Sequence, residues 1–250
     1  MSRRLRFSGL HLLASAVVAL AWGGVIFLLW YPPPYAALAG GLTLFAMLVG
    51  IDVVLGPLLT ALVAGPAKPV AELRRDISWI VVFQLVALAY GVYTIASARP
   101  VHLVFEVDRF RVVSAADIEP GRLEKAPAAL RALPWTGPTV IAARKSVTQE
   151  EMLRSLDLGL QGVDLSMQPD RWTEYATAAA AVLGVARPVD VLLGKHPEVA
   201  DGARAMAAKH GVAMENLRFL PLVSRSEFWV ALVAIPDARI VGFLPVDGFF

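Results

Sequence analysis

Apolar positions crowd into three runs within the first hundred residues. The first extends from Phe7 to Trp30, uncharged, with His11 near its start; the second, Ala36 to Ala64, holds Asp52 as its only charge; the third, Ile77 to Ala98, is uncharged, with Gln84 as its most polar residue. A bilayer core needs about 20 apolar residues per helix, so each run is long enough to span. The pattern predicts three transmembrane helices, over residues 7–30, 36–64 and 77–98, in a membrane domain 1–98. A second domain, 99–250, follows.

The first run also has the outline of a signal peptide, because Arg3, Arg4 and Arg6 precede an apolar core. It is longer than the usual apolar region of about 7–15 residues, and it ends in Trp30-Tyr31 and three prolines instead of small residues, which favours a retained helix. The tail carries three arginines, the loop Tyr31–Tyr35 carries no charge, and the next loop carries Lys68, Arg74 and Arg75. By the positive-inside rule both basic segments face the cytoplasm. The chain then leaves the membrane on the other side, which in a bacterial inner membrane protein is the periplasm.

Beyond Arg99 the periods change. Val101–Val113 begins as an alternating strand, with Ser114 as a cap for the turn after it. The Pro134–Pro138 segment reads as an ordered loop and Thr139–Ala143 as a short buried strand. Thr148 and Glu151 have the spacing of a capping box, opening a helix to about Leu158. The Gln161–Pro169 stretch suggests a short strand, Pro169–Gly184 a helix, Val189–Leu193 a strand, and His196–Lys209 a helix stopped by Gly211. Three strand-like runs close the chain: 217–223, 227–235 and 239–246, separated by Ser-Arg-Ser and Pro-Asp-Ala. The expected fold is a three-helix membrane domain followed by an α+β domain whose C-terminal strands form an antiparallel meander, with the helices on one face.

Composition sharpens this division. The chain is 57% hydrophobic and 18% charged, too apolar for one ordinary soluble domain. Residues 1–98 hold 6 Lys+Arg against 3 Asp+Glu, a net +3, and residues 99–250 hold 17 against 18, a net −1. The basic charge therefore flanks the membrane, and nothing suggests a nucleic-acid partner. Cysteine is absent, which removes thiol chemistry. No phosphate loop, nucleophile elbow or zinc motif occurs, and no two of His11, His102, His196 and His210 are spaced three to five apart as in such a motif. No catalytic residue, cofactor site or metal site is expected. Glu106 and Asp108, two apart, read as part of a salt-bridged strand with Arg109 and Arg111. Trp135, Trp172 and Tyr175 form a candidate binding surface, the last two being placed on one face of the predicted helix.

The sharpest anomaly is Asp52. A carboxylate near the centre of a membrane helix costs about 2.5–3.5 kcal/mol on insertion scales, so it needs a partner or a proton. Pro57, beside Gly56, should kink the helix and free a carbonyl, and Gly50 and Gly56 leave room for close helix approach. Gln84 lies at a similar depth on the third helix. Two roles follow for the set Gly50, Asp52, Gly56, Pro57 and Gln84: an internal tie between protonated Asp52 and Gln84, or a docking point for another membrane helix. A third, a proton or ion pathway, is disfavoured because three helices with one carboxylate make a poor transporter.

Several separated motifs carry a resemblance. GIDVVLGPLLT, RPVHLVFEVDRFRVV, LPWTGPT, EEMLRSLDLGLQGVDLSMQPDRW and the closing RIVGFLPVDGFF are similar to the TfpX/TfpZ family of type IV pilin accessory proteins, over essentially the full chain. The resemblance implies an inner-membrane protein with no enzyme activity that helps the major type IV pilin accumulate or assemble, with contacts to the bilayer and to the assembly machinery. It also implies a partner helix with a free N-terminal amine that Asp52 could meet. The competing readings are a membrane-anchored periplasmic enzyme acting on pilin or envelope, for which no nucleophile–base pair is found, and a periplasmic ligand sensor, for which only about a dozen residues between the second and third helices offer an output.

Overall fold

The computed structural model describes residues 3–65, 68–225 and 228–250. Ser226 of the expected Ser-Arg-Ser turn and Glu227 of the run after it lie outside them. The chain divides into two compact units, Met1–Arg99 and Pro100–Phe250.

The first unit contains three helices long and apolar enough to cross a membrane, Arg4–Trp30, Gly41–Val63 and Val70–Ala98. The second apolar run is thus shorter than its sequence suggests. A single turn, Tyr35–Leu38, precedes it, and Gly40 breaks the chain with a left-handed φ of 71°. The third begins earlier than its apolar run, so that Arg74, Arg75 and Asp76 lie on its first turns, where Lys68 pairs with Asp76. The loop between the first two helices is folded in: Tyr31 is fully buried and donates its hydroxyl to the carbonyl of Ile95, 3.1 Å away.

The second helix is not regular. It is α-helical over Gly41–Val49, widens to a π-helix over Gly50–Leu55, and resumes as α-helix over Gly56–Val63. A π register pairs each carbonyl with the N–H five residues on. For Asp52 that residue is Pro57, which has none.

The second unit is built on one mixed eight-stranded sheet: β1 Pro100–Glu106, β2 Arg109–Ser114, β3 Thr139–Ala143, β4 Trp172–Glu174, β5 Arg187–Pro188, β6 Leu217–Val223, β7 Phe228–Ala234 and β8 Arg239–Leu244. The order is β4-β3-β1-β2-β6-β7-β8, with β5 also on β6. β6, β7 and β8 do form an antiparallel meander. The sheet as a whole is mixed, because β3 runs parallel to β1 and β6 parallel to β2.

Several local expectations are corrected. The 101–113 segment is a hairpin, turned at Val107-Asp108 without glycine or asparagine; Val107 takes a φ of 52°. The predicted 169–184 helix is a 3-10 turn at Pro169–Arg171, then β4, then a 3-10 turn at Tyr175–Ala178, and only Ala179–Val185 is α-helical. The main chain of Trp172–Glu174 pairs with Ile141–Ala143 instead, so sheet pairing overrides helix propensity. Val189–Lys195 is a helix, not a strand, and the strand expected before Pro169 is the 3-10 turn Leu165–Met167. The last helix covers Ala200–Lys209 after a 3-10 turn at Pro197–Val199, and Gly211 stops it with φ 64°.

Both faces of the sheet carry buried residues. Strand alternation puts Val104, Ile141, Phe219 and Leu232 on one face. The Val189–Lys195 and Ala200–Lys209 helices and the 3-10 turns bury that side. Phe105, Phe110, Leu222 and Ala231 point the other way and are also buried. Tyr175 packs there, its ring 6.0 Å from that of Phe110.

Candidate functional site

The five membrane residues singled out by sequence are brought together in part. Gln84 Nε2 donates to the main-chain carbonyl of Asp52 at 3.0 Å, supplying the hydrogen bond that Pro57 cannot. The expected side-chain tie is therefore a side-chain-to-backbone tie, and the Asp52 carboxyl stays out of it. Gly56 makes room: a methyl group there would overlap the Gln84 amide. Gly50 meets nothing within 4 Å of where a Cβ would stand, so it faces open space and not a neighbouring helix.

The consequence is a pair of acceptors without donors. Asp52 is 7% exposed. Among the described residues, its Oδ1 and the Oε1 of Gln84 are both buried and lack a hydrogen-bond partner. Both residues line an apolar groove of about 160 Å³ between the three helices, together with His11, Ser15, Val18 and Leu88. Asp52 also borders a second groove, on the side of Met47, Tyr90 and Thr94. An unmade bond at a buried acceptor costs about 1–3 kcal/mol, so both atoms favour any donor that enters.

The first helix contributes residues that the sequence reading passed over. His11 Nδ1 meets Thr60 Oγ1 at 2.5 Å, and Ser8 Oγ donates to the Pro57 carbonyl at 2.9 Å. Together they fasten the first helix to the second at Pro57 and one turn beyond it. The signal was available: Ser8, His11 and Ser15 are spaced three and four apart, a polar stripe on an otherwise apolar helix.

The aromatic candidates do not form one surface. Trp172 is buried, packs edge-on to His102 with ring centroids 4.7 Å apart, and donates Nε1–H to the Ser166 carbonyl at 2.8 Å. Tyr175 donates to the Ala238 carbonyl at 2.6 Å on the other face of the sheet. Trp135 stands exposed in its loop. Glu106 and Asp108 separate as well. Glu106 is buried, accepting from the Ser166 N–H at 2.8 Å and from Arg111 Nε at 3.1 Å, while Asp108 pairs with Arg109 in the hairpin turn. Among the described residues no group of three or more His, Asp or Glu side chains is placed to hold a metal.

A second buried network was not foreseen. Arg171, 1% exposed, donates to Glu151 Oε2 at 2.5 Å, to the Glu151 carbonyl at 2.9 Å and to Ser155 Oγ at 3.0 Å. Arg144 grips the same carboxylate with both its NH groups, at 2.9 and 3.0 Å. Arg144 foremost, then the Val147 N–H and Arg171, hold the Glu151 carboxyl well below the usual carboxylate range. Thr148 Oγ1 caps the helix by accepting from the Glu151 N–H at 3.2 Å, but the Glu151 side chain returns to Val147, not to Thr148, so only half of the capping box forms.

The family model described as fimbrial assembly protein FimB matches residues 1–40, within which Ser8 and His11 fall. A fimbrial assembly protein of serogroup E1 from Dichelobacter nodosus is 37% identical over 246 residues, covering 98% of this chain and 95% of the relative. The serogroup I protein of the same organism is 36% identical over the same shares of both chains. A third, of serogroups C1 and C2, is 46% identical over 113 residues, 45% of this chain and 86% of the relative. No solved structure matches. With identity of this order along nearly the full length of two relatives, the chain belongs to the fimbrial assembly protein (FimB) family.

Proposed function

We propose that this protein is a non-enzymatic accessory factor of type IV pilus assembly, a member of the TfpX/TfpZ group that it resembles. In this reading it resides in the bacterial inner membrane with its N-terminus in the cytoplasm and its 100–250 unit in the periplasm. There it acts as a chaperone for the major pilin, stabilising it before or during delivery to the assembly machinery. Support comes from the fimbrial assembly role for which its relatives are named, from the three apolar helices, and from the basic residues flanking them.

The observation that carries the docking step is the pair of donorless acceptors, Asp52 Oδ1 and Gln84 Oε1, at the wall of a groove between apolar helices. A pilin helix entering that groove would bring apolar side chains to the open surface around Gly50 and a donor to the two oxygens. An N-terminal amine suits this chemistry, since a cation and a carboxylate removed from water form a strong charge-assisted bond.

The test is a mild-detergent pulldown of the full-length protein, wild type and Asp52→Leu, with pilin levels followed in a deletion strain. Captured pilin, its loss in the variant, and a reduced membrane pool of pilin in the deletion strain are the expected results. Pilin that is neither captured nor depleted overturns the reading in favour of an enzyme or a sensor. Capture that survives both Asp52→Leu and Asp52→Asn removes the carboxylate from the docking step while leaving the accessory role.

A further inference from the structure

The Gln149–Leu160 helix of the second unit is turned inside out. Its inward residues are Glu151, Ser155 and Leu158, the first two held by Arg171 and Gln168. Its outward residues Met152, Leu153, Leu156 and Leu160 are between 56% and 90% exposed. An ordinary surface helix shows the reverse arrangement. The buried Arg171 fixes the orientation, because rolling the helix to hide its leucines would strip a fully buried guanidinium of its carboxylate. A stripe of large apolar side chains kept outward in this way is the mark of an interaction surface.

The charges on the stripe's flank choose the occupant. Glu150, Arg154 and Asp157 fall along one side, while Gly159, with nothing within 4 Å of a built Cβ, opens the other. With Glu151 turned inward and neutralised by Arg144 and Arg171, the outward side of the helix carries two acids, Glu150 and Asp157, against one base, Arg154, a net −1. That pattern is wrong for the anionic surface of a bilayer, which selects helices rich in lysine and arginine. It is right for itself. The stripe rises only about 12 Å along the axis. An antiparallel copy centred between Leu156 and Asp157 puts Leu153 against the copy's Leu160, twice over, and the two Leu156 side chains beside the axis. The same operation brings Arg154 of each copy near Asp157 of the other, which is the self-complementarity that a twofold interface demands.

We propose that two copies of this chain pair through the outward apolar stripe of the Gln149–Leu160 helix, antiparallel about a twofold axis beside Leu156. The pairing is independent of the pilin groove in the first unit.

The absence of cysteine makes the test clean. Full-length Leu156→Cys, in detergent under mild oxidant, is expected to form a disulfide-linked dimer, whereas Val191→Cys, exposed on another helix, remains uncrosslinked. In analytical ultracentrifugation the wild type is expected to sediment as a dimer. Leu156→Arg, a change at a site open to solvent in the single chain, should lower the dimer fraction at least tenfold. A wild type that is monomeric at tens of micromolar overturns the proposal, and so does a dimer that survives Leu156→Arg and fails to crosslink at position 156. A monomer whose Leu156→Arg form no longer captures the fimbrial subunit likewise overturns it, and assigns the stripe to that partner.

Discussion

The side-chain amide of Gln84 reaches the main-chain carbonyl of Asp52 across the bare Cα of Gly56. Three residues far apart in type thus act together: a proline that removes one donor, a glutamine that replaces it, and a glycine that leaves the path clear. Gly56→Ala should destabilise the helical unit by about 1–3 kcal/mol, the usual range for overpacking, and should cost far less in a Gln84→Ala background. Unfolding titrations in mixed micelles would read the coupling. Equal losses in the two backgrounds would show that Gly56 serves something other than the glutamine.

His102 gives the second unit a pH dependence of known sign. Burial pushes its imidazole down to about 4 from an ordinary 6.5, and Nδ1 meets Thr139 Oγ1 at 2.8 Å. Between those two values the unfolded chain takes a proton that the folded chain refuses. Stability therefore declines as pH falls from about 6.5 toward 4, by at most about 1.4 kcal/mol per pH unit for a single site. In His102→Gln the denaturation midpoint should move less between pH 7 and pH 5. Glu151, held low, adds a loss only at more acid pH, below its ordinary 4.5.

Removing Arg171 alone takes the buried donor from Ser155 and from the inner oxygen and carbonyl of Glu151, while Arg144 keeps its grip on the carboxylate. Arg171→Met is expected to cost on the order of 3 kcal/mol, more than the single change Arg144→Met at the exposed end of the same carboxylate. Chemical denaturation of the full-length variants compares the two, and a larger loss from Arg144 would reverse their ranking.

Val107 holds a left-handed backbone at the tip of the β1–β2 hairpin, where a β-branched side chain is disfavoured. Val107→Gly should raise stability by about 1 kcal/mol, the gain from relieved strain exceeding the entropy that glycine adds to the unfolded chain. A fall in melting temperature would mean that the valine side chain makes a contact worth more than its strain.

The sequence was legible where one physical signal dominates. Three apolar runs could hardly be anything but long helices, and alternation marked the strands from Leu217 onward. Thr148 was recognisable as a cap from its own chemistry. Elsewhere distant partners decided the outcome. Nothing local to Gly50–Leu55 announces a π stretch, whose spare carbonyl is satisfied from 32 residues away by Gln84. Trp172–Glu174 sits in a helix-favouring composition and pairs with β3 because that edge needs a strand. Val189–Leu193 is the short apolar run for which helix and strand cannot be told apart by period. The outward leucines at 153, 156 and 160 stood in plain view as a helical stripe, but the buried arginine that turns them outward did not.

The position of β2 at the middle of the mixed sheet bears on how the unit assembles. The β1–β2 hairpin and the β6–β7–β8 meander are each closed by short turns and can form early. The seam that joins them, Phe110 to Leu222 and Arg111 to Val223, links positions more than a hundred residues apart through two registered pairs. Closing it carries the largest loop entropy in the unit. Until that seam closes, each half-sheet presents an unpaired strand edge, which makes the β2–β6 pairing the folding step most exposed to misassociation with neighbouring chains.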